Sequence, residues 1–401
     1  MELELVLESL AFGGEAVGRG DDGRVVFVAG GAPGDRVVAR VVDDKRSFVR
    51  AELVRVVAAG AARVTPPCPI VERCGGCPWQ HVSDEAQRAA KQAIVERALG
   101  KLGARVEPLV AAPAPLGYRT RARMTARASG GIPAVGFAGR RSHEIVDVER
   151  CLALDPALDA AMQAARRACG ALVGEEGAIA GLVADGGVEL AFAAAAGADR
   201  AGLAAAARAL VGQAGIVRVT VDDPRAPAAG FAQANAAQNE TLRQLVQQAA
   251  RADGLGVLEL FAGDGNFTRD LAAVAAGGLA VEGDGAAAAR LSERLRAHPS
   301  WLASSEPAVR AVERAVRAGQ RFDVVVLDPP RAGAADLVAM LPTLAPARII
   351  YVSCDPMTLA RDLATLSRHG YPTVRAWPVD MMPQTWHVEV VALVTPDANR
   401  R

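Results

Sequence analysis

The sequence has almost no lysine and no net charge. Its 401 residues carry 45 basic and 45 acidic side chains, and Lys45, Lys91 and Lys101 are the only lysines, so nearly all of the positive charge is arginine. A formal charge of zero excludes a general electrostatic attraction to nucleic acid or to an acidic membrane surface. Any surface that binds nucleic acid must therefore be a local patch.

The first residues do not have the pattern expected of a leader segment, and long apolar runs are also missing. The first ten residues, MELELVLESL, contain three glutamates and no basic segment, which is unlike a signal peptide. No apolar stretch reaches the ~18 residues that a membrane span needs. Even the alanine-rich region near residues 190–215 is interrupted by Asp199, Arg200 and Arg208. We therefore expect a cytoplasmic protein that does not enter a membrane.

Cysteines are few and unevenly placed. Six in a chain of this length argue against a disulfide framework and for a metal or catalytic role in a reducing compartment. Cys68, Cys74 and Cys77 form a C-x5-C-x2-C motif in a loop rich in proline and glycine. Cys151 is the best candidate for a fourth thiol, since Cys169 lies in an alanine-rich helical pattern. The uneven spacing favours an iron–sulfur cluster, with zinc and unligated thiols as alternatives.

The composition of the chain predicts three domains. Residues 1–58 alternate strand-like runs with glycine turns, which is typical of a small β-barrel of OB type. Residues 59–230 form a central α+β domain that holds the cysteine motif, and the helical pattern over 83–103 is a candidate for packing on the catalytic domain. Residues 231–401 alternate strands and helices, which predicts an α/β domain of Rossmann-like type.

The catalytic domain begins with a strand, a glycine turn and a helix. Leu255–Phe261 is followed by Gly263-x-Gly265, where a ligand can approach free backbone N–H groups. The third glycine of the dinucleotide fingerprint is absent, which argues against NAD. The next strand ends in Glu282, at the position where ribose hydroxyls are held in such folds. A later strand ends in Asp328, and this order is typical of an S-adenosylmethionine methyltransferase.

A cysteine follows another predicted strand, and its surroundings match one chemistry. The apolar run Ile349–Val352 reads as a buried strand that ends at Ser353-Cys354, which places Cys354 at the edge where ligands bind in open α/β sheets. C5 of uracil is too weak a nucleophile to take a methyl group unaided, but a thiolate that adds at C6 activates it. A base must then remove the C5 proton. Glu389 is the best candidate for this base, His387 is a weaker rival, and Asp328 could hold the uracil ring or the cofactor amine.

Several motifs resemble one protein family. The segments LELFAGDGNFT, VLDPPRAGA, IIYVSCDPMTLARDL and MMPQTWHVEVVALV are similar to the motifs of bacterial RNA uracil-C5 methyltransferases, and FAQANAAQNE is similar to the entry of that family's cofactor domain. The segment LAFGGEAVGRG…GRVVFVAGGAPGDRVVARV resembles the TRAM domain, an RNA-binding barrel. The barrel and the four cysteines together resemble the ribosomal-RNA branch, which carries a [4Fe–4S] cluster.

The resemblance implies a full set of roles. It implies a monomer that binds ribosomal RNA, with Cys354 as nucleophile and Glu389 as base. The implied contacts to S-adenosylmethionine are Gln233, Phe261, Asn266, Glu282 and Asp328, and the implied cluster ligands are Cys68, Cys74, Cys77 and Cys151. An RNA cytosine-C5 methyltransferase and a non-catalytic iron–sulfur RNA-binding protein remain the alternatives.

Two further expectations concern segments outside these motifs. Arg119, Arg121 and Arg123 recur at period two, which predicts an arginine stripe on one face of a strand and a track for RNA phosphates. The family usually has a strand that ends near the adenine of the cofactor in the region of 301–320. This sequence shows no clear strand there, so we assign no contact to it.

Overall fold

The computed structural model describes residues 1–129, 132–170, 172–174 and 176–397. The strands within these ranges are β1 Glu2–Leu10, β2 Ala16–Arg19, β3 Val25–Ala29, β4 Arg36–Asp44, β5 Phe48–Ala58, β6 Arg105–Val106, β7 Arg121–Ser129, β8 Ile132–Ala138, β9 Ile145–Asp147, β10 Ala178–Ala184, β11 Gly187–Ala193, β12 Ile216–Val221, β13 Gly256–Leu260, β14 Gly277–Glu282, β15 Trp301–Ser305, β16 Val324–Leu327, β17 Arg348–Ser353, β18 Thr373–Val379 and β19 Glu389–Val394.

The helices are mostly short and lie between these strands. The α-helices are α1 Asp84–Leu99, α2 Pro156–Cys169, α3 Arg200–Arg208, α4 Ala236–Ala250, α5 Thr268–Val274, α6 Gly285–Leu295, α7 Ala308–Arg317, α8 Ala335–Val338 and α9 Pro356–Arg368. Single 3₁₀ turns cover Gly100–Leu102, Pro227–Ala229 and Leu341–Leu344. No helix within the described ranges is both long and apolar enough to cross a membrane.

The described chain forms two compact units. The first comprises residues 1–91, 113–236 and 382–387, and the second comprises 92–112, 237–381 and 388–397, without the gaps given above. The division into three domains at residues 58 and 230 remains a prediction.

The first unit begins with the predicted barrel. Strands β1 to β5 close into a barrel in the order β1-β2-β3-β5-β4. Successive side chains of a strand point to opposite faces, so every second residue faces the barrel interior. The buried side chains of the barrel include Leu5, Leu7, Val26 and Val28. The barrel prediction is confirmed, although the short strand β2, of sequence AVGR, was not predicted.

A second sheet in the first unit packs on helices. Its strands are ordered β12-β11-β10-β7-β8-β9. Ala122 and Met124 of β7 share one hydrophobic core with Leu158 and Met162 of α2. Since successive side chains alternate between the two faces of a strand, the arginines of β7 lie on the face away from this core.

The second unit is built on an eight-stranded sheet in the order β15-β14-β13-β16-β17-β19-β18-β6. The first five strands of this order, β15, β14, β13, β16 and β17, pair in parallel with one another. Strand β19 is antiparallel to both β17 and β18. All four residues of β16 are buried, as expected for a central strand covered on both faces. Val95 and Leu99 of α1 belong to the core of this unit.

One expectation about this sheet is wrong. Trp301–Ser305 does form a strand, β15, which pairs with β14 in parallel and lies at the edge of the sheet. The segment WLASS is short, and an edge strand needs few apolar residues because only part of it is buried. Ser304 donates to the Glu306 carboxylate at 2.6 Å just beyond the strand, so polar residues do follow β15.

Candidate active site

Cys354 and Glu389 are brought together by strand pairing. Ser353, the last residue of β17, is paired with Val390 of β19, so Cys354 follows and Glu389 precedes this pair at the same end of the two strands. The charge of Glu389 acts on the Cys354 thiol across this short distance. The chain turns at this point because Asp355 caps α9, accepting from the backbone N–H groups of Met357 and Thr358. The thiol is half-buried, and Glu389 is 5% exposed.

Four ionisable groups meet at this edge of the sheet. Burial, and next the negative charge of Glu389, raise the pKa of the Cys354 thiol to about 11, while Arg331 opposes this shift by its charge and a hydrogen bond. Burial and the charge of Asp328 raise the pKa of Glu389 to about 8, again against Arg331. Burial alone raises the pKa of Asp328 to about 7. The three acids therefore hold protons more tightly than usual, and Arg331 is the positive charge that counters this effect.

The glycine turn after β13 is tied to the end of β14. The Glu282 carboxylate accepts from the Gly263 N–H at 2.7 Å and from the Asp284 N–H at 2.7 Å. Phe261, just before the turn, has a φ of 60°, a left-handed conformation that side chains rarely adopt. The predicted residues Phe261, Glu282 and Asp328 thus all lie at the carboxyl ends of neighbouring parallel strands.

Asn266 is held by a partner that the sequence did not reveal. Its side-chain amide exchanges two hydrogen bonds with that of Asn239 on α4, each 2.9 Å long. The only sequence signal for Asn239 was its place in the FAQANAAQNE segment. Gln233 belongs to the first unit, whereas the other four residues predicted to contact the cofactor belong to the second.

A buried acid inside β13 was also missed. Glu259 is 1% exposed, and its Oε2 accepts from the Thr268 hydroxyl at 2.6 Å. Its Oε1 is buried and has no hydrogen-bond partner among the described residues. Burial raises the pKa of Glu259 to about 8 in spite of the Thr268 bond, and the charge of Asp328 adds to the shift. The signal was present in LELF, where an acid interrupts an otherwise apolar strand.

The four predicted cluster cysteines line one cavity of about 670 Å³ in the first unit, called here the cysteine cavity. Burial raises the pKa of Cys74, Cys77 and Cys151, to about 11 in the case of Cys77. The charges of neighbouring thiols contribute to each shift, so the sulfur atoms lie near one another. Within the described ranges, however, no group of three or more His, Cys, Asp and Glu side chains is arranged to hold a metal ion.

The predicted arginine stripe is not a single exposed face. Strand β7 starts only at Arg121, and Arg119 lines the cysteine cavity, where its charge interacts with Cys77 and Cys151. The Arg121 guanidinium donates to the carbonyl of Gly230. Arg123 alone of the three is exposed. The period-two spacing was correct for a strand, but the strand begins too late for Arg119 to share its face.

His387 and Glu389 fall in different units. His387 belongs to the first unit, where its ring lies 4.9 Å from that of Trp386, whereas Cys354 and Glu389 both belong to the second.

Known proteins match the chain over almost its whole length. The TRAM domain model matches residues 2–54, and the model described as tRNA (Uracil-5-)-methyltransferase matches residues 310–396. A Halomonas elongata protein named 23S rRNA (uracil(1939)-C(5))-methyltransferase RlmD is 35% identical, covering 99% of this chain and 90% of the relative. This chain belongs to the RNA uracil-C5 methyltransferase family. A Chromohalobacter salexigens protein of the same name is 34% identical, and the match covers 99% of this chain and 90% of that relative.

A solved structure has the same fold. The Pyrococcus abyssi tRNA (uracil-54, C5)-methyltransferase, in complex with S-adenosyl-L-homocysteine, superposes with a TM-score of 0.70 at 20% identity and covers 98% of this chain and 100% of that chain. The predictions of the family, of the TRAM barrel and of a methyltransferase domain that uses S-adenosylmethionine are therefore confirmed. The individual residue roles remain predictions.

Proposed function

We propose that this protein methylates C5 of a uridine in ribosomal RNA, with 23S rRNA as the substrate. The substrate rests on the names of the Halomonas and Chromohalobacter relatives, which match almost the entire chain. The reaction rests on one observation, the electrostatic proximity of the Cys354 thiol and the Glu389 carboxyl beside the paired ends of β17 and β19. We also infer that the protein acts as a cytoplasmic monomer whose barrel contributes to RNA binding, which size-exclusion chromatography and RNA-binding assays can check.

In the proposed mechanism, the Cys354 thiolate adds to C6 of the uracil ring and C5 gains the electron pair. When bound, S-adenosylmethionine would supply the methyl group from its sulfonium ion to C5 and would leave as S-adenosylhomocysteine. Glu389 then accepts the proton from C5, the C5–C6 double bond re-forms, and the thiolate leaves. Arg331 favours the thiolate because its positive charge and hydrogen bond lower the pKa of Cys354 against the effect of burial.

The cofactor contacts are part of the proposal. Gln233, Phe261, Asn266, Glu282 and Asp328 are the proposed contacts to S-adenosylmethionine. In support, Glu282 ends β14 at the position where ribose hydroxyls are held in doubly wound folds, and the glycine turn offers backbone N–H groups. Asp328 is half-buried and its charge acts on Glu389, so it suits either the uracil ring or the cofactor amine.

We further propose that Cys68, Cys74, Cys77 and Cys151 hold a [4Fe–4S] cluster with a structural role. Four thiols on the walls of one cavity are the donor set that such a cluster requires. Anaerobically purified protein should be brown and contain close to four irons per chain. Stoichiometric zinc without iron would contradict this assignment.

The proposed activity is tested by incubating the protein with labelled S-adenosylmethionine and unmodified ribosomal RNA and then analysing the nucleosides. We expect label in 5-methyluridine and none with Cys354→Ala. Label in 5-methylcytidine would instead support a cytosine-C5 methyltransferase. Tight RNA binding without any transfer would support a non-catalytic RNA-binding protein.

A further inference from the structure

The cysteine loop and the segment after β8 are bonded to each other through their backbones. Cys74 forms a bridge with Gly139, and the Gly75 N–H donates to the carbonyl of Ala138 at 3.0 Å. The Arg140 N–H donates to the carbonyl of Arg73 at 3.0 Å. These bonds fix the backbone of Arg140 directly against the loop that carries three of the four cysteines.

The side chain of Arg140 lies within the cysteine cavity. Its Nη2 donates to the carbonyl of Pro78 at 3.3 Å, one residue beyond Cys77. Its Nε is buried and has no hydrogen-bond partner among the described residues. Arg140 interacts electrostatically with Cys74 and with Cys77. A buried N–H of a charged guanidinium is costly unless an acceptor faces it, so an acceptor bound in the cavity would offset this cost.

The next residue offers a contrast. Arg141 also lines the cysteine cavity, but it is exposed and its guanidinium donates to the Glu15 carboxylate at 2.6 Å. Two adjacent arginines on the same wall therefore differ in their partners. Of these two arginines, only Arg140 has a buried side-chain donor without a hydrogen-bond partner among the described residues.

We propose that Arg140 donates its Nε–H to a sulfur atom of the metal site held by the four cysteines and stabilises the reduced form of that site. The inference rests on the proposed iron–sulfur cluster. Thiolate-ligated clusters gain negative charge on reduction, and hydrogen bonds to their sulfurs together with nearby positive charge set their reduction potential. Arg140 supplies both a hydrogen bond and a positive charge, so it raises the potential.

The test compares Arg140→Gln, Arg140→Lys and the matched control Arg141→Gln in the full chain. Each protein is purified anaerobically and assayed for iron, and its midpoint potential is measured by EPR-monitored redox titration. If Arg140 binds the reduced cluster tenfold more tightly than the oxidised one, Arg140→Gln lowers the potential by about 59 mV for one electron. Arg140→Lys keeps the charge and should fall between Arg140→Gln and wild type, and Arg141→Gln should match wild type.

The outcomes separate this inference from the cluster assignment. Wild-type protein without iron would overturn the cluster and this inference together. Iron-loaded wild type with equal potentials for Arg140→Gln and Arg141→Gln would overturn the role of Arg140 alone. If Arg140→Gln cannot retain its cluster, the midpoint potentials of Arg140→Lys and Arg141→Lys are compared instead. A lower potential for Arg140→Lys supports the inference, and equal potentials overturn it.

Discussion

The Cys354 thiol and the Glu389 carboxyl are electrostatic neighbours at the end of the antiparallel strand pair β17–β19. The charge of Glu389 raises the pKa of Cys354, and the charge of Asp328 raises that of Glu389, so the three groups resist being ionised together. The arrangement keeps a proton acceptor beside the nucleophile, although the neighbouring negative charges disfavour ionisation of both groups. The positive charge of Arg331 partly offsets this effect.

The first prediction is that activity rises with pH through the pKa of Glu389. The base must be unprotonated to accept the C5 proton, and its pKa is raised to about 8. The Cys354 thiolate, with a pKa of about 11, also becomes more abundant as pH rises. We expect the initial rate of methyl transfer, measured at saturating RNA and cofactor, to increase between pH 6 and pH 9. These two pH values lie on either side of the Glu389 pKa, each about one unit or more away from it. A maximum near pH 6 would contradict the assignment.

The second prediction concerns the stability of Glu389→Gln. The folded pKa of about 8 lies above the unfolded value of about 4.3, so only the folded protein retains this proton between the two values. The contribution of Glu389 is therefore fully present below the unfolded pKa and is lost as pH rises through the folded pKa. Glutamine has no proton to lose. Urea unfolding should show Glu389→Gln gaining stability over wild type with rising pH, by on the order of a few kcal/mol.

An exposed glutamate serves as the control for this measurement. The side chain of Glu293 is 62% exposed and pairs with Arg296 at the surface, so it lacks the burial that distinguishes Glu389. Glu293→Gln should show no such gain in stability between acid and alkaline pH. Parallel pH profiles for Glu389→Gln and wild type would show that Glu389 is ionised in the folded protein at neutral pH.

The sequence was sufficient to predict the barrel and the parallel sheet, because buried strands have apolar runs. It also placed Glu282, Asp328 and Cys354 at or just after the ends of strands, where the polar residues of parallel strands reach the same edge of the sheet. Glu389 instead begins the antiparallel strand β19, and the roles of these four residues remain predictions.

The residues that were missed depend on tertiary contacts instead. Asn239 was missed because its hydrogen-bond partner, the Asn266 amide, lies outside its own helix. Arg140 was missed because the backbone bridge between Cys74 and Gly139 is what holds it against the cysteine loop. Arg119 has the spacing of a strand arginine, yet its surroundings are thiols. The periodic patterns of helices and strands do not indicate which distant residues come into contact. The tertiary contacts of these three residues were therefore found only in the structure.

The third prediction is that Asn239 sets the affinity for S-adenosylmethionine through Asn266. Asn239→Ala removes both hydrogen bonds that orient the Asn266 amide. Two bonds at about 0.5–1.5 kcal/mol each correspond to a loss of roughly tenfold in affinity, measurable by calorimetry. Gln244→Ala, on the same helix, removes only a bond to the exposed Glu240 and should bind as wild type does. Unchanged binding by Asn239→Ala would remove Asn266 from the proposed contacts.

The fourth prediction uses two adjacent glycines of the barrel. Gly13 and Gly14 have φ values of 101° and 94°, so alanine at either position is strained, by about 1–3 kcal/mol. A Cβ at Gly14 would also lie 2.5 Å from the Trp386 ring, whereas a Cβ at Gly13 meets nothing within 4 Å. Gly14→Ala should therefore unfold at lower temperature than Gly13→Ala and alter tryptophan emission. Equal melting temperatures and spectra would mean that Trp386 moves aside freely.

The final prediction separates the proposed nucleophile from the proposed base. Cys354 is needed to form the bond to C6, so Cys354→Ala should bind RNA and cofactor yet give neither adduct nor product. Glu389 acts only after methyl transfer, so Glu389→Gln should still attack C6 and methylate C5. Without the base, the C5 proton stays and the thiolate cannot leave. The enzyme should therefore remain covalently bonded to its RNA.

This adduct is directly visible on denaturing gels. Glu389→Gln with ribosomal RNA should give a band of enzyme bonded to RNA that requires S-adenosylmethionine and disappears in the double variant with Cys354→Ala. His387→Gln is the comparison, because it removes the rival base, and it should turn over without accumulating adduct. If Glu389→Gln instead turns over at the wild-type rate while His387→Gln accumulates the adduct, the base is His387. The buried, raised-pKa carboxyl of Glu389 would then be a structural group beside the nucleophile.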